Sequence, residues 1–189
     1  SISVNNGTNA FLLILMHLKI KPGDEIIVPS LCYISPIHMI KLLGATPVVA
    51  DIDTDSYQVC PTNIKKKISN KTKAILMIHN FGSVSRYNAI CKIADTKNIQ
   101  IIEDISETIF SKIKNNFLGS NKHKRTQIIS FSSLHSTKTI TTGEGGIIFT
   151  NSNIISENLK NLRDHGVKKD KAYCYKQIGG NFRMSNLLA

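Results

Sequence analysis

The chain has 189 residues, of which 24 are lysine or arginine and 13 are aspartate or glutamate, so its formal net charge is +11 at pH 7. No apolar run approaches the roughly 20 residues of a membrane-spanning helix, and the first residues do not resemble a signal peptide. Basic residues are scattered, with clusters at 65–67, 122–125 and 168–169, and aromatic residues make up only 6% of the chain, so neither a membrane nor a nucleic-acid partner is predicted.

Short apolar runs alternate with helical patterns along most of the chain. Helical periodicity predicts helices over residues 8–18, 33–43, 61–68 and 87–97. Runs of four to six mostly apolar residues predict strands over residues 25–28, 46–50, 74–78, 99–103, 127–130 and 147–150. Strands and helices that alternate in this way form a mostly parallel sheet with helices on both faces. The predicted fold class is therefore α/β, with three α/β/α layers around a mostly parallel mixed sheet.

A chain of this length can form one sizeable core, and no linker or internal repeat divides it. Its cysteines are widely spaced and form no C-x-x-C pair, which argues against a zinc ribbon or a disulfide framework. They are Cys32, Cys60, Cys91 and Cys174. A reducing cytosol is the expected setting, and no visible cluster of ligands predicts a metal site.

Lys138 lies at the centre of the sequence FSSLHSTKTITTGEGG, between two predicted strands. A lysine held between strands by small residues is a candidate covalent amine, because its neutral form reacts with an aldehyde to give a Schiff base. Ser133 lies five residues earlier, and its hydroxyl could hold an anionic group of the same ligand. Taken alone, a serine and a lysine in such a segment also fit a solvated loop.

Ligands of a parallel sheet collect at the carboxyl ends of its strands, so the residues that follow each strand are the candidates for binding. Asp104 follows one predicted strand, and Tyr33 follows another. The start of the first helix, Gly7-Thr8-Asn9, offers free backbone N–H groups to a phosphate. One ligand would use these features together with Lys138: pyridoxal 5′-phosphate (PLP).

In this hypothesis each residue has one task. Lys138 attaches the cofactor, and Asp104 keeps the pyridine nitrogen protonated so that the ring can accept electrons. Tyr33 stacks on the ring, while Ser133 and the 7–9 backbone hold the phosphate.

The motifs and their order resemble the DegT/StrS-type nucleotide-sugar aminotransferases over essentially the whole chain. They are KPGDEIIVPSLCY, GATPVVADID, HNFG, IIEDISE, SFSSLHSTKTITTGEGG, RDHG and IGGNFRMSN, after an initial Gly-Thr. Within the family, the VPSLCYI, EDISE, KTITTGEGG and IGGNFRM runs are most similar to the GDP-perosamine synthases. The resemblance implies a fold-type-I PLP enzyme that moves an amino group from glutamate to the 4-keto carbon of a nucleotide-linked 6-deoxyhexose.

The resemblance also implies the roles of individual residues and the assembly. It places the internal lysine at Lys138, the carboxylate of the ring nitrogen at Asp104, the stacking aromatic at Tyr33 and the phosphate hydroxyl at Ser133. It implies a homodimer with composite active sites, in which Asn181 reaches the phosphate in the partner subunit, just before a new helix at residues 183–184. Relatives carry a helical segment before residue 7 and a smaller C-terminal domain, so residues 1–189 are expected to be the PLP-binding large domain.

Simpler explanations remain open at several of these residues. Asp104 could cap a helix that begins near Ile105, Tyr33 could belong to the core, and Glu107 could face the ring edge or lie on the surface. His79 and His135 are expected to be strand-end residues with satisfied hydrogen bonds. The alternative functions are a 3-aminotransferase of dTDP-linked sugars and a non-catalytic protein of the same fold. Sugar dehydratases of this fold replace the lysine with histidine, so Lys138 argues against them.

Overall fold

A seven-stranded, mostly parallel sheet forms the centre of the computed structural model, which describes residues 1–120, 127–167 and 174–189. Two of the predicted basic clusters, at 122–125 and 168–169, lie outside the described residues. The strands of the sheet are β1 (Ile2–Val4), β2 (Glu25–Pro29), β3 (Thr46–Ala50), β4 (Thr72–Ile78), β5 (Gln100–Asp104), β8 (Ile128–Ser133) and β9 (Gly146–Phe149), and a small separate hairpin comprises β6 (Lys112–Ile113) and β7 (Asn116–Phe117). The helices are α1 (Gly7–His17), α2 (Ile34–Leu42), α3 (Pro61–Lys67), α4 (Tyr87–Lys97) and α5 (Asn153–Arg163).

The order of the strands across the sheet is β1-β9-β8-β5-β4-β2-β3. Strands β3, β2, β4, β5 and β8 are parallel, and β9 runs antiparallel to both of its neighbours. The carboxyl ends of β4, β5 and β8 therefore meet at one edge, and the start of α1 adjoins β8. This arrangement confirms the predicted α/β class with a mostly parallel mixed sheet.

The helices cover both faces of the sheet, and each face has its own apolar cluster. On one face, side chains of α1, α2 and α5 such as Phe11, Ile40 and Leu159 pack on the sheet. On the other, side chains of α3 and α4 such as Ile64 and Ile90 do the same. Because the central strands are buried on both sides, they consist of nearly continuous apolar residues. These apolar runs are the signal from which the strands were predicted.

The structure adds elements that the sequence analysis did not predict and corrects two that it did. The additional elements are β1, the β6–β7 hairpin and α5. Residues 106–110 form turns, so the alternative of a helix that begins near Ile105 is wrong. The helix expected at 183–184 is also wrong, because the chain there is irregular and only a turn at 186–188 follows.

Helix length bears on the question of membrane insertion. Across the three described ranges, every helix is too short or too polar to cross a bilayer.

Candidate active site

A cavity of about 430 Å³ lies at the carboxyl ends of β4, β5 and β8 and reaches the start of α1. Its lining brings together most of the residues that the sequence predicted for a cofactor. These are Gly7, Thr8, Tyr33, Asp104, Glu107, Ser133 and Lys138. Asn9 and Asn181 are the two predicted residues that do not line it.

Asp104 is the last residue of β5 and supplies the carboxylate of the cavity. Its Oδ1 accepts the backbone N–H of Ser106 at 2.9 Å. Burial raises the pKa of Asp104, while the Ser106 hydrogen bonds and the nearby Lys138 and His79 act in the opposite direction. Since no helix follows this strand, the carboxylate caps a turn and faces the cavity.

Lys138 and Glu107 form an ion pair across the cavity. The Lys138 Nζ lies 3.4 Å from Glu107 Oε1, and the two side chains are 26% and 39% exposed. Glu107 Oε2 also accepts the backbone N–H of Phe81 at 2.7 Å. Glu107 is therefore a residue of the cavity wall that is also partly exposed, and its contact with the ring edge stays a prediction.

The start of α1 and the end of β8 approach each other closely. Asn6 caps the helix, because its Oδ1 accepts the N–H of Asn9 at 2.8 Å. The N–H groups of Gly7 and Thr8, at the first two helical positions, are therefore the candidate phosphate donors. A Cβ on Gly7 would lie 2.8 Å from Ser133 Cβ, so only glycine allows this approach.

Asn9 does not line the cavity, so its contribution to a phosphate site stays a prediction. Its backbone N–H is taken by the Asn6 cap, and its side-chain amide donates to Asn5 Oδ1 at 2.9 Å. The third position of a capped helix normally donates to the cap in this way.

Tyr33 lies at the mouth of the cavity, immediately before α2. Its side chain is 78% exposed, which excludes the alternative that it is a core residue. A large aromatic ring held at a cavity and left exposed is available to cover a ligand. Its stacking role stays a prediction.

Asn181 is not part of the cavity lining and lies in the segment that follows α5. It pairs with Asp164 in an isolated antiparallel bridge, and the neighbouring Arg183 forms an ion pair with the same aspartate. Asn181 is exposed and does not touch the cavity of its own chain. The prediction that it serves a partner subunit is compatible with this placement and stays untested.

The sequence analysis missed Ser106 and gave His79 only a structural role. Ser106 Oγ accepts the N–H of Ser133 at 2.8 Å, and its own N–H donates to Asp104. Ser106 thus fixes the carboxylate and the predicted phosphate hydroxyl relative to each other. Its position two residues after a strand-terminal aspartate is a recognisable turn signal.

The two histidines differ in environment. His79 is fully buried and hydrogen-bonded, as predicted, whereas His135 lies in the loop after β8, with Nδ1 3.0 Å from Thr137 Oγ1 and Nε2 3.6 Å from Glu144 Oε1. Within residues 1–120, 127–167 and 174–189 there is no group of three or more potential metal ligands.

Gly7→Ala should weaken cofactor binding at least about tenfold and lower the unfolding temperature. An alanine in place of a helical glycine normally stabilises by about 0.5–1 kcal/mol. Here the new methyl group would collide with Ser133, and overpacking costs about 1–3 kcal/mol. Titration of PLP by absorbance and thermal unfolding measure the two effects, and a more stable Gly7→Ala protein with unchanged affinity would contradict the close approach.

Comparison with known proteins identifies the family that the motifs of the sequence resemble. A profile of the DegT/DnrJ/EryC1/StrS aminotransferase family matches residues 1–189. GDP-perosamine synthase of Escherichia coli O157:H7 is 38% identical over 187 residues, which are 99% of this chain and 50% of that protein. The chain spans about half the length of the curated relatives it matches.

Solved structures show the same fold. DesV of S. venezuelae, in complex with a ketimine intermediate, superposes with a TM-score of 0.90 at 29% identity and covers 99% of this chain and 49% of its own. NtdA from Bacillus subtilis, with bound cofactor PMP, superposes with a TM-score of 0.88 at 25% identity and covers 99% of this chain and 41% of its own.

Proposed function

Because the chain belongs to the DegT/DnrJ/EryC1/StrS aminotransferase family, we propose that it is the cofactor-binding large domain of a sugar aminotransferase. The observation that carries the proposal is the convergence of Lys138, Asp104, Ser133 and the start of α1 on one cavity. Enzymes of this family depend on PLP. When bound, PLP supplies an aldehyde that carries amino groups and a cationic ring that accepts electrons.

The residues of the cavity fit this cofactor. Gly7 and Ser133 form a narrow cradle beside two helix N–H groups, which suits a phosphate. Asp104 supplies a carboxylate for the ring nitrogen, and Lys138 supplies the amine that attaches the cofactor. The exposed ring of Tyr33 is placed to cover one face.

Lys138 would also move the proton on which transamination depends. Its Nζ lies inside the cavity, 3.4 Å from Glu107, and can accept a proton from a substrate carbon and return it to another carbon. Glu107 holds the ammonium form in place between these two events. Asp104, fixed by Ser106, keeps a negative charge opposite the ring nitrogen throughout.

We propose glutamate as the amino donor and the 4-keto carbon of a nucleotide-linked 6-deoxyhexose as the acceptor. The support is the 38% identity to GDP-perosamine synthase over 99% of the chain. A non-catalytic protein that has lost the cofactor site would be colourless, whereas a site that binds PLP makes the purified protein yellow.

The decisive experiment incubates the full-length protein with glutamate and a panel of 4-keto and 3-keto nucleotide sugars. Mass spectrometry then identifies any amino sugar that forms. Amination of a 4-keto sugar alone supports the proposal, amination of a 3-keto sugar redirects it, and no product with a PLP-loaded protein contradicts it.

The expected compartment is the cytosol. All four cysteines lie in the described ranges and are free thiols, including the exposed Cys174. Thiols persist in a reducing compartment, which supports this expectation.

We further propose that the working enzyme is a homodimer with composite sites. Asn181 is exposed and lies away from the cavity of its own chain, in a segment that follows the glycine pair 179–180. It can therefore serve a site only by reaching another subunit. The bridge to Asp164 and the ion pair of Arg183 would fix the direction in which this segment leaves the domain.

Mixing Lys138→Ala subunits with Asn181→Ala subunits should restore part of the activity that each variant lacks alone. A mixed dimer contains one site with both residues intact and one with neither, so up to about half of the activity per mixed dimer should return. Differently tagged subunits allow the mixed dimer to be purified and assayed. If the mixed dimer forms and remains inactive, Asn181 does not act across the interface.

A further inference from the structure

A buried imidazole and a buried carboxylate lie directly behind the cavity. His79 follows β4 and lines the cavity, and its Nε2 lies 3.1 Å from Oε1 of Glu103, the residue before Asp104. The two side chains are 0% and 1% exposed. The backbone N–H of His79 also donates to the carbonyl oxygen of Asp104 at 3.2 Å, so the pair is tied to the strand that carries the catalytic carboxylate.

The hydrogen bonds of the ring determine which of its nitrogens carries a proton toward Glu103. Nδ1 lies 3.0 Å from the backbone nitrogen of Ser85, which can only donate, so Nδ1 is an acceptor. The proton of the ring is therefore on Nε2 and points at the Glu103 carboxylate. His79 cannot turn without breaking both contacts.

Glu103 has further donors at its second oxygen. Its Oε2 accepts the hydroxyl of Ser130 at 2.5 Å and the backbone N–H of Gly119 at 3.2 Å. These donors, together with His79, are the surroundings of an ionised carboxylate, since each of them offers a proton to it. Glu103 thus links the neighbouring strand β8 and the segment after β7 to the floor of the cavity.

Stability alone does not explain a buried pair of imidazole and carboxylate at this place. Removing two polar groups from water costs several kcal/mol each, and well-packed apolar pairs in such positions are often equally or more stable. The strands on either side are already held by their ladder hydrogen bonds and apolar contacts. The pair does, however, adjoin Asp104, the carboxylate proposed to face the ring nitrogen of the cofactor.

We propose that Glu103 and His79 are positioning residues for Asp104, which add a second negative charge behind it and so help the ring nitrogen of the bound cofactor to keep its proton. The proposal rests on the function proposed above. Glu103 would act through the charge of its carboxylate, which is 1% exposed. His79 holds that carboxylate in place through Nε2, while its own Nδ1 accepts a hydrogen bond and carries no proton.

Other charged and titratable groups around the pair fit this arrangement. Asp104 and Lys138 line the same cavity as His79. On α4, burial and then the charge of Glu103 raise the pKa of Tyr87. Burial, Asp95 and Glu103 raise the pKa of Cys91 to about 12.

The first test uses the PLP-loaded protein and two matched variants. Glu103→Gln removes the charge at constant size, and it should lower by about one pH unit the midpoint at which the ring nitrogen of the bound cofactor loses its proton, a tenfold change in proton affinity. Nitrogen-15 NMR of PLP labelled at the ring nitrogen measures this midpoint. Ser130→Ala removes a hydrogen bond to the same carboxylate but leaves the charge, so its midpoint should stay at the wild-type value. Equal midpoints in Glu103→Gln and the wild type, or equal shifts in both variants, would overturn the proposal.

The second test needs no variant and no cofactor. Nitrogen-15 NMR of the cofactor-free wild-type protein should show His79 with its proton on Nε2 and Nδ1 unprotonated. A proton on Nδ1 would overturn the arrangement even if Glu103→Gln failed to fold. Failure of the wild-type protein to bind PLP would instead contradict the proposed function and leave this NMR result unaffected.

Discussion

Lys138→Ala should lower transamination at least about a thousandfold while the protein remains folded. General acid–base catalysis by a positioned side chain contributes about 10²–10⁴-fold, and the same residue also attaches the cofactor. The structural cost is small, because Lys138 lies in a loop of the cavity wall and its side chain forms a 3.4 Å ion pair with the partly exposed Glu107. Single-turnover kinetics with glutamate measure the loss.

Reduction with borohydride tests the attachment directly. In the wild-type protein it should fix a pyridoxyl group on the peptide that contains Lys138, and in Lys138→Ala that label should be lost. Lys73→Ala is a suitable control, since this exposed lysine pairs with Asp24 at the amino-terminal edge of the sheet, far from the cavity. Label on any other lysine of the wild-type protein would contradict the assignment.

The helices and strands that were predicted well are those whose burial requires a clear local pattern of apolar residues. Strand β3 and helix α4 were predicted at their observed bounds, and most other central elements within one or two residues. Strand β1 and the β6–β7 hairpin are too short to produce a pattern. Helix α5 does have one, because Ile155, Leu159 and Leu162 recur on one face and Ser152 caps its start, so this helix could have been predicted.

The candidate site was predictable to the extent that it follows from the topology of the sheet. Carboxyl ends of parallel strands meet at one edge, and this rule places Asp104 and Ser133 together with Lys138 in the loop that follows. The rule does not reveal partners that come together only after folding. The contacts of Glu107 with Phe81 and of His79 with Glu103 join residues more than 20 positions apart.

Asn9 and Asn181 illustrate two reasons why the residues of such a site cannot all be predicted from a sequence. For Asn9, a local hydrogen bond to the Asn6 cap competes with the predicted ligand and takes the same N–H group. For Asn181, the predicted contact lies on another subunit, so no property of a single chain decides it.

Asp104→Asn should slow the half-reaction with glutamate about a thousandfold or more. The amide can still accept the N–H of Ser106 through its oxygen, so the turn after β5 should keep its shape. The charge opposite the ring nitrogen is lost, and with it the ability of the ring to accept electrons. Stopped-flow absorbance of the PLP-loaded variant gives the rate, and near-normal turnover would mean that the carboxylate only caps a turn.

The same substitution should make the cofactor-free protein more stable at pH 7. Burial raises the folded-state pKa of Asp104 above its ordinary value of 3.8, so the protonated form is favoured on folding. Its contribution to stability is fully present below the unfolded pKa and is lost as the pH rises through the folded pKa. Asparagine has no such penalty, so Asp104→Asn should raise the unfolding temperature at pH 7 and have less effect near pH 3. Opposite changes in stability and activity identify a carboxylate kept for its chemistry, whereas a structural carboxylate would lose stability when replaced.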